Sequence, residues 1–380
     1  MDRRNFLLSG AAAVGSPAAA FAAETEGIDR PIAKAFNATL RTSSLTRGGR
    51  HRTTFLEAGP PSGPTIILIH GWPEISLAWR HQLQSLSTLG FRVIAPDLRG
   101  CGQSTVYREQ SAYTQREIVR DMIDLADELG IERAVWVGHD WGAAVAWNIA
   151  SHHASRCHAV AALCVPYDTL ERGVSRLSMM VNRELYPAAE FPAGQYEYAA
   201  FYQDHFADVL QVFDGHVEDL LKVILRRGDP SQAGKIFATA MVRKQGGWFG
   251  PGRPPPSVPL DAAILDEATL ASYVEAYKRT GFFGINSFYM NDASNIAYAN
   301  EAANGGVLAM PILFLSGLYD FVNDTDRTSL LEPMKAKCRK LTTRVLSCGH
   351  WMQNERPAEV NAALVSWIAT SVQGAWPVAA

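Results

Sequence analysis

Gly138-His139-Asp140-Trp141-Gly142 is the stretch of the chain best fitted to do chemistry. The apolar run Ala134-Val135-Trp136-Val137 before it reads as a short buried strand, and Ala143 to Ser151 after it reads as a helix. A Gly-x-nucleophile-x-Gly turn between strand and helix lifts its central side chain above a sheet. Here that side chain is a carboxylate. A serine attacking a saturated carbon would form an ether that water does not cleave under mild conditions, whereas a carboxylate forms an ester that can be hydrolysed. Asp140 therefore points to displacement at an sp³ carbon, as in epoxides or carbon–halogen compounds. Standing alone, the motif has a plainer explanation, an aspartate N-cap on a Gly-bounded helix.

It does not stand alone. His70 follows the apolar run Thr65 to Ile69, Asp320 closes Gly317-Leu318-Tyr319-Asp320, and His350 lies in Cys348-Gly349-His350-Trp351, each after a strand-like segment. Ligands of open α/β sheets bind outside the carboxyl ends of the strands. Singly, an aspartate there is usually a turn residue, and a histidine is usually a satisfied polar group. Together they run nucleophile, acid, histidine, the chain order of the α/β-hydrolase triad.

These positions need a scaffold. Arg50 to Glu57 alternates like an edge strand, and Gly59 to Pro64 is a Pro/Gly-rich turn. Thr65-Ile66-Ile67-Leu68-Ile69 is a continuous apolar run suited to a central parallel strand covered on both faces. Ser76 to Leu89 follows as a helix closed by Gly90, then Phe91 to Ala95 as a strand. Thr114-Gln115-Arg116-Glu117 is a capping box opening a helix with Ile118, Met122, Leu125 and Leu129 on one face and Gly130 at its end. His158 to Val165 is a further apolar strand. Repeated strand–helix–strand units predict a mostly parallel sheet with helices on both sides.

From Tyr167 to about Asn300 the pattern changes to aromatic-rich helices, chiefly Tyr196 to Phe213, Val217 to Arg226, Ala233 to Lys244 and Ala268 to Arg279. Gly246 to Pro259 breaks regular structure; it either shapes a pocket entrance or is inert surface. Strands resume at Ile312 to Leu315 and Arg344 to Leu346, and Pro357 to Ile368 makes a final helix. The expected division is an export signal over residues 1–23, an α/β core over 30–166, an α-helical cap over 167–300 and the rest of the core over 301–380.

The segments His70-Gly71-Trp72-Pro73-Glu74, Trp79-Arg80-His81-Gln82, Gly138-His139-Asp140-Trp141-Gly142, Asp320-Phe321-Val322 and Gly349-His350-Trp351 resemble the α/β-hydrolase-fold epoxide hydrolases, from about residue 35 to about residue 370. An aspartate elbow followed by tryptophan narrows that superfamily to epoxide hydrolases and dehalogenases. The resemblance implies Asp140 as nucleophile and His350 as general base, oriented by Asp320. It also implies an oxyanion hole from the backbone N–H groups of Trp72 and Trp141. With His70 and Gly71, Pro73 marks the family's tight turn, commonly a cis peptide. No metal or organic cofactor is implied.

Epoxide opening leaves negative charge on an oxygen that stays attached to the product, and a phenol of pKa about 10 can hydrogen-bond and protonate it. The family places two cap tyrosines for this. Tyr198-Ala199-Ala200-Phe201-Tyr202-Gln203 resembles the first segment and points to Tyr198, with Tyr196 and Tyr202 as close alternatives. Gly281 to Tyr289 resembles the second, with Tyr289 in the reactive position. Trp72 departs from a common phenylalanine, and Cys101 from a frequent tyrosine. The implied product is a vicinal diol. A haloalkane dehalogenase would share Asp140, Trp141 and His350 but hold a halide with N–H donors; a non-catalytic binding or receptor module on the same fold is the rival of another class.

Composition narrows the partners. The chain has 380 residues, 47% hydrophobic and 19% charged, with net charge −3, which suits a soluble globular protein with a large core and excludes a polybasic nucleic-acid or membrane surface. A small-molecule epoxide is the expected partner, with no nucleic acid and no stable membrane insertion; a homodimer is left open. Arg3-Arg4, then Phe6-Leu7-Leu8, a small-residue apolar run and Ala22-Ala23 resemble a twin-arginine export signal, placing the mature chain in a bacterial periplasm. The five cysteines lack metal-ligand spacing, and mostly packed, reduced thiols are expected.

Overall fold

The computed structural model describes the backbone strand at residues 41–47 and residues 51–377. The export signal expected over residues 1–23, and the expected start of the core at residue 30, lie outside the described residues. Eight strands are described: β1 (Arg41–Arg47), β2 (His51–Ala58), β3 (Thr65–Ile69), β4 (Arg92–Pro96), β5 (Ala134–His139), β6 (Cys157–Leu163), β7 (Leu308–Gly317) and β8 (Cys338–Leu346). They form one sheet in the order β1-β2-β4-β3-β5-β6-β7-β8. The β1–β2 and β2–β4 pairs are antiparallel and all others are parallel.

The continuous apolar runs take the central places, since only there are both faces covered. Ile66, Ile67, Leu68 and Ile69 of β3 have no exposed surface, and every residue of β5 is buried. Four helices cover this sheet: α1 (Arg80–Thr88), α2 (Gln115–Glu128), α3 (Trp141–His152) and α4 (Pro357–Ser371), with α1 packed on α4 and α2 on α3. The N-cap half of the expected capping box forms, with the Thr114 hydroxyl accepting from the Glu117 amide at 3.4 Å, while the Glu117 carboxylate lies 3.6 Å from Arg99. All five cysteines are buried free thiols. No helix among the described residues is long and apolar enough to cross a membrane.

Between β6 and β7 the chain adds no strand to the sheet, and its described regular elements there are helical. Three expectations change in detail. The strand expected at the edge, β2, is internal, because the polar segment Arg41–Arg47 pairs outside it. The helix expected from Tyr196 to Phe213 is two, Glu197–Asp204 and Phe206–Gly215, broken at His205, whose φ of −132° and ψ of 38° are not helical. The helix expected from Ala233 starts at Ala238, because Gly234 takes a left-handed φ of 72°.

Where β5 turns into α3, three chain segments meet at backbone distance. A Cβ on Gly138 would overlap the Gly142 carbonyl, and one on Gly142 would overlap the Ile69 carbonyl of β3. The two glycines of the elbow are therefore packing requirements. Gly142→Ala is expected to lower the unfolding free energy by about 3 kcal/mol, the upper part of the range for forcing atoms into a packed core; an unchanged urea midpoint contradicts this.

Candidate active site

At the end of β5, Asp140 has φ 52° and ψ −123°. Few non-glycine residues hold a positive φ, and surrounding structure must enforce it. The consequence is directional. The Asp140 side chain makes no cap on α3. Its Oδ1 accepts from the Trp72 backbone N–H at 2.8 Å, and its Oδ2 lies 3.6 Å from His350 Nε2. Gly71 admits this approach, since a Cβ there would stand 2.5 Å from Asp140 Cβ. The Trp72–Pro73 peptide is cis. Trp141 is the first residue of α3, where an amide has no intrahelical acceptor.

His350 Nδ1 is 2.9 Å from Asp320 Oδ2, and Asp320 Oδ1 accepts from the amides of Val322 and Asn323 at 3.2 and 3.1 Å. Trp72, Asp140, Asp320 and His350 thus arrive from the loops after β3, β5, β7 and β8. His70 has another place: Nε2 accepts from the Leu98 amide at 3.0 Å and Nδ1 faces the Gly71 carbonyl at 3.0 Å. Burial lowers its pKa, which suits a neutral ring bracing the loop after β3.

The charges follow from burial and pairing. For Asp320, burial opposes ionisation, but His350 and the hydrogen bonds from His350 and Asn323 outweigh it and lower the pKa. For His350, burial disfavours the imidazolium, yet Asp320 above all, with Cys164 and the carboxylate of Asp140, raises its pKa well above the usual histidine range. The imidazolium is the resting form between two carboxylates.

Tyr198 and Tyr289 line one cavity of about 340 Å³ with Asp140, His350 and Trp72. Their ring centroids are 5.8 Å apart, and their hydroxyls interact. Burial, then nearby anionic groups including Asp140, raises the pKa of both, so both hold their protons. Tyr196 and Tyr202 are not on this cavity: the first reaches Asn323 Oδ1 at 3.4 Å, and the second accepts from Trp248 Nε1 at 2.8 Å.

Sequence reasoning missed the support behind His350. His139 Nδ1 is 2.8 Å from Glu74 Oε2, and its Nε2 is 2.9 Å from the His350 carbonyl, which Cys164 Sγ also approaches at 3.0 Å. Gln353 Nε2 donates to both Glu74 oxygens at 2.9 and 3.0 Å. Burial works against a charged His139, but Cys164 and Glu74 push its pKa up to about 10. His139 and Glu74 stood inside recognised motifs; their pairing was not visible there. His139, Cys164 and His350 are also the one group among the described residues close enough to hold a metal ion. Their ligand atoms are already engaged with Glu74, Asp320 and the His350 carbonyl, which fits a hydrogen-bonded brace and not a metal centre.

Residues 64–357 match the family model for the alpha/beta hydrolase fold. Epoxide hydrolase A of Mycobacterium tuberculosis is 34% identical over 341 residues, covering 85% of this chain and 95% of that protein. Epoxide hydrolase B of the same organism is 32% identical over 340 residues, covering 81% and 93%. The crystal structure of epoxide hydrolase A from Mycobacterium thermoresistibile superposes with a TM-score of 0.71 at 29% identity, covering 88% of this chain and 99% of that one.

The linkage between His350 and Asp320 has a definite sign. A raised histidine pKa contributes stability in full below about 6.5 and loses it as pH climbs through the folded value; a lowered carboxylate pKa contributes above about 3.9 and loses it as pH falls. Asp320→Asn removes the largest influence holding the proton on His350. Its ring resonance in an NMR titration is expected to move to lower pH, and an unmoved midpoint rules out this pairing.

Proposed function

The chain belongs to the alpha/beta hydrolase fold family and, within it, to the epoxide hydrolases, and from that premise we propose that it converts an epoxide and water into a vicinal diol through an ester of Asp140. One observation carries the proposal: a carboxylate at an elbow, two protonated phenols and a histidine–carboxylate pair border the same cavity. The helical segment 167–300 acts as the cap that supplies the phenols.

Tyr198 and Tyr289 hold the epoxide oxygen while Asp140 attacks a ring carbon from the opposite side. The oxygens of Asp140 are already distinguished. Oδ1 sits on the Trp72 amide, so it is placed to become the oxyanion, and Oδ2 is the oxygen free to attack. As the C–O bond of the ring breaks, its electrons become an alkoxide, which takes a proton from the phenol pair. Formation of the ester consumes the charge of Asp140. That loss removes one influence holding the proton on His350 and one raising the pKa of both tyrosines. The same bond-forming step thus makes the phenols better acids and frees the histidine to act as base. The proton that His350 gives up restores the phenol that protonated the alkoxide. Neutral His350, oriented by Asp320, then takes a proton from water as the water oxygen adds to the ester carbonyl, and the oxyanion is met by the amides of Trp72 and Trp141. On collapse the ester C–O bond breaks and the proton of the new Asp140 carboxyl passes to the departing diol oxygen, which restores the Asp140 carboxylate beside the His350 imidazolium.

The cavity favours oxygen over halide as the group received. Two phenols border the cavity with Asp140, the indole N–H of Trp72 is already committed to Asn286 Oδ1 at 2.7 Å, and Trp141, whose indole N–H has no partner among the described residues, does not line the cavity. Export belongs to the same proposal: Arg3-Arg4 and the small-residue run through Ala23 support a twin-arginine route to the periplasm. N-terminal sequencing of the protein from its own cells is expected to begin after Ala23, and an intact Met1 start discards the export reading.

A single turnover in heavy-oxygen water tests the chemistry. The first diol takes its new oxygen from Asp140, and label enters Asp140 itself; label passing directly into the first diol refutes the ester. His350→Gln should accumulate the ester with hydrolysis slowed about a thousandfold, and Tyr289→Phe should slow ring opening about a hundredfold. Unaltered turnover in these variants sinks the assigned roles.

A further inference from the structure

The Gly246 to Pro259 stretch takes no part in the reaction as set out, yet its fold gives it a place in the site. Gly246, Gly247, Gly250 and Gly252 have φ of 72°, 135°, 96° and 60°, backbone that side-chain-bearing residues rarely adopt. These turns carry Trp248 and Phe249 inward, and both line the cavity that holds Asp140. The Trp248 indole N–H donates to the Tyr202 hydroxyl at 2.8 Å, and its ring centroid lies 5.8 Å from that of Tyr198. Beyond them is a void of about 30 Å³ that Trp248 and Phe249 also border. Next to that void is a surface depression of about 530 Å³, bordered by the exposed residues His205, Gln211, His216 and Arg243. Phe201, Asp208 and Val212 border both of these outer spaces. The three spaces lie in series, and Trp248 with Phe249 forms the partition between the first and the rest.

We propose that Trp248 is the specificity-determining stop of the substrate cavity, confining the site to epoxides that carry one compact, ring-sized substituent. The inference rests on the epoxide reading of Asp140 and the two tyrosines. A cavity of about 340 Å³ is at the small end for ligand sites, and its wall is aromatic at Phe237, Trp248, Phe249, Phe321 and Trp351. A flat, apolar ring suits such walls. A long substituent pointing the same way must push Trp248 aside, break its bond to Tyr202 and disturb its packing on Tyr198. A smaller side chain at residue 248 joins the inner cavity to the outer ones and gives a long chain somewhere to go.

The test compares styrene oxide with a straight-chain epoxydodecane on the full-length protein, together with calorimetric binding of the two corresponding diols. Wild type should prefer the aryl substrate. Trp248→Ala should raise the long-chain to aryl ratio of kcat/KM about tenfold or more, the scale on which a pocket wall discriminates by size, and should shift the diol affinities in the same sense. Trp248→Phe, which retains a ring without the N–H, should keep the ratio near that of wild type. A ratio unmoved by alanine, or moved equally by phenylalanine, overturns the proposal. Should the alanine variant fail to fold, Trp248→Leu is read against the same outcomes. A wild type that converts styrene oxide while Trp248→Ala leaves the ratio unmoved removes only this inference. A wild type that converts neither epoxide and binds neither diol removes the epoxide reading and this inference together.

Discussion

The positive φ of Asp140 is the constraint on which the rest of the site depends. At φ 52° and ψ −123° the residue ends a strand and starts a helix without its side chain joining either. The extended backbone usual for an N-cap, as at Thr114 and Asp266, would turn the carboxylate toward the α3 amides as an ordinary cap. The strained conformation sends it toward the Trp72 amide and His350. Holding that strain needs close packing from three sides, which Gly71, Gly138 and Gly142 permit because none carries a Cβ.

Charge is the second level of organisation. His350 lies between Asp140 and Asp320 and is held as a cation by both. The two carboxylates are not equivalent. Asp320 is fixed by its histidine and two backbone amides, so it stays an anion throughout. Asp140 has one amide on one oxygen and His350 at 3.6 Å from the other, so it is held far less firmly than Asp320. Behind them His139 and Glu74 form a buried pair whose imidazolium donates to the His350 carbonyl. Buried charges are tolerated when paired and hydrogen-bonded, and here the pairing also fixes the backbone that carries the base.

The helical insertion adds what the sheet lacks. A parallel sheet presents its strand ends on one side and offers no roof. Tyr198 and Tyr289 line the same cavity as Asp140, and Trp248 and Phe249 add aromatic surface to it. Polar hydroxyls and an apolar wall therefore come from different parts of the insertion. Tyr202 links the two, since it accepts from Trp248 and packs 5.6 Å from Tyr198.

Much of this was legible in one dimension. The core strands announced themselves as apolar runs because a strand covered on both faces has no polar positions to alternate. Asp140, Asp320 and His350 were legible because a reactive group at a strand end is bounded by turn residues that local sequence records. β1 was not, since a polar outer strand is defined by its partner and not by its own pattern. Nor was the choice among Tyr196, Tyr198 and Tyr202, which depends on how the helices of the insertion rotate as they pack. The Glu74–His139–Gln353 brace and the partition at Trp248 join residues far apart along the chain, and no local spacing encodes such contacts. The sequence by itself singled out Asp140, Asp320 and His350 and the sheet that carries them, because those are local signals repeated at each strand end. Only the tertiary structure decided which phenols share a cavity with the carboxylate and which aromatic side chains line it with them, because long-range packing alone brings those side chains together.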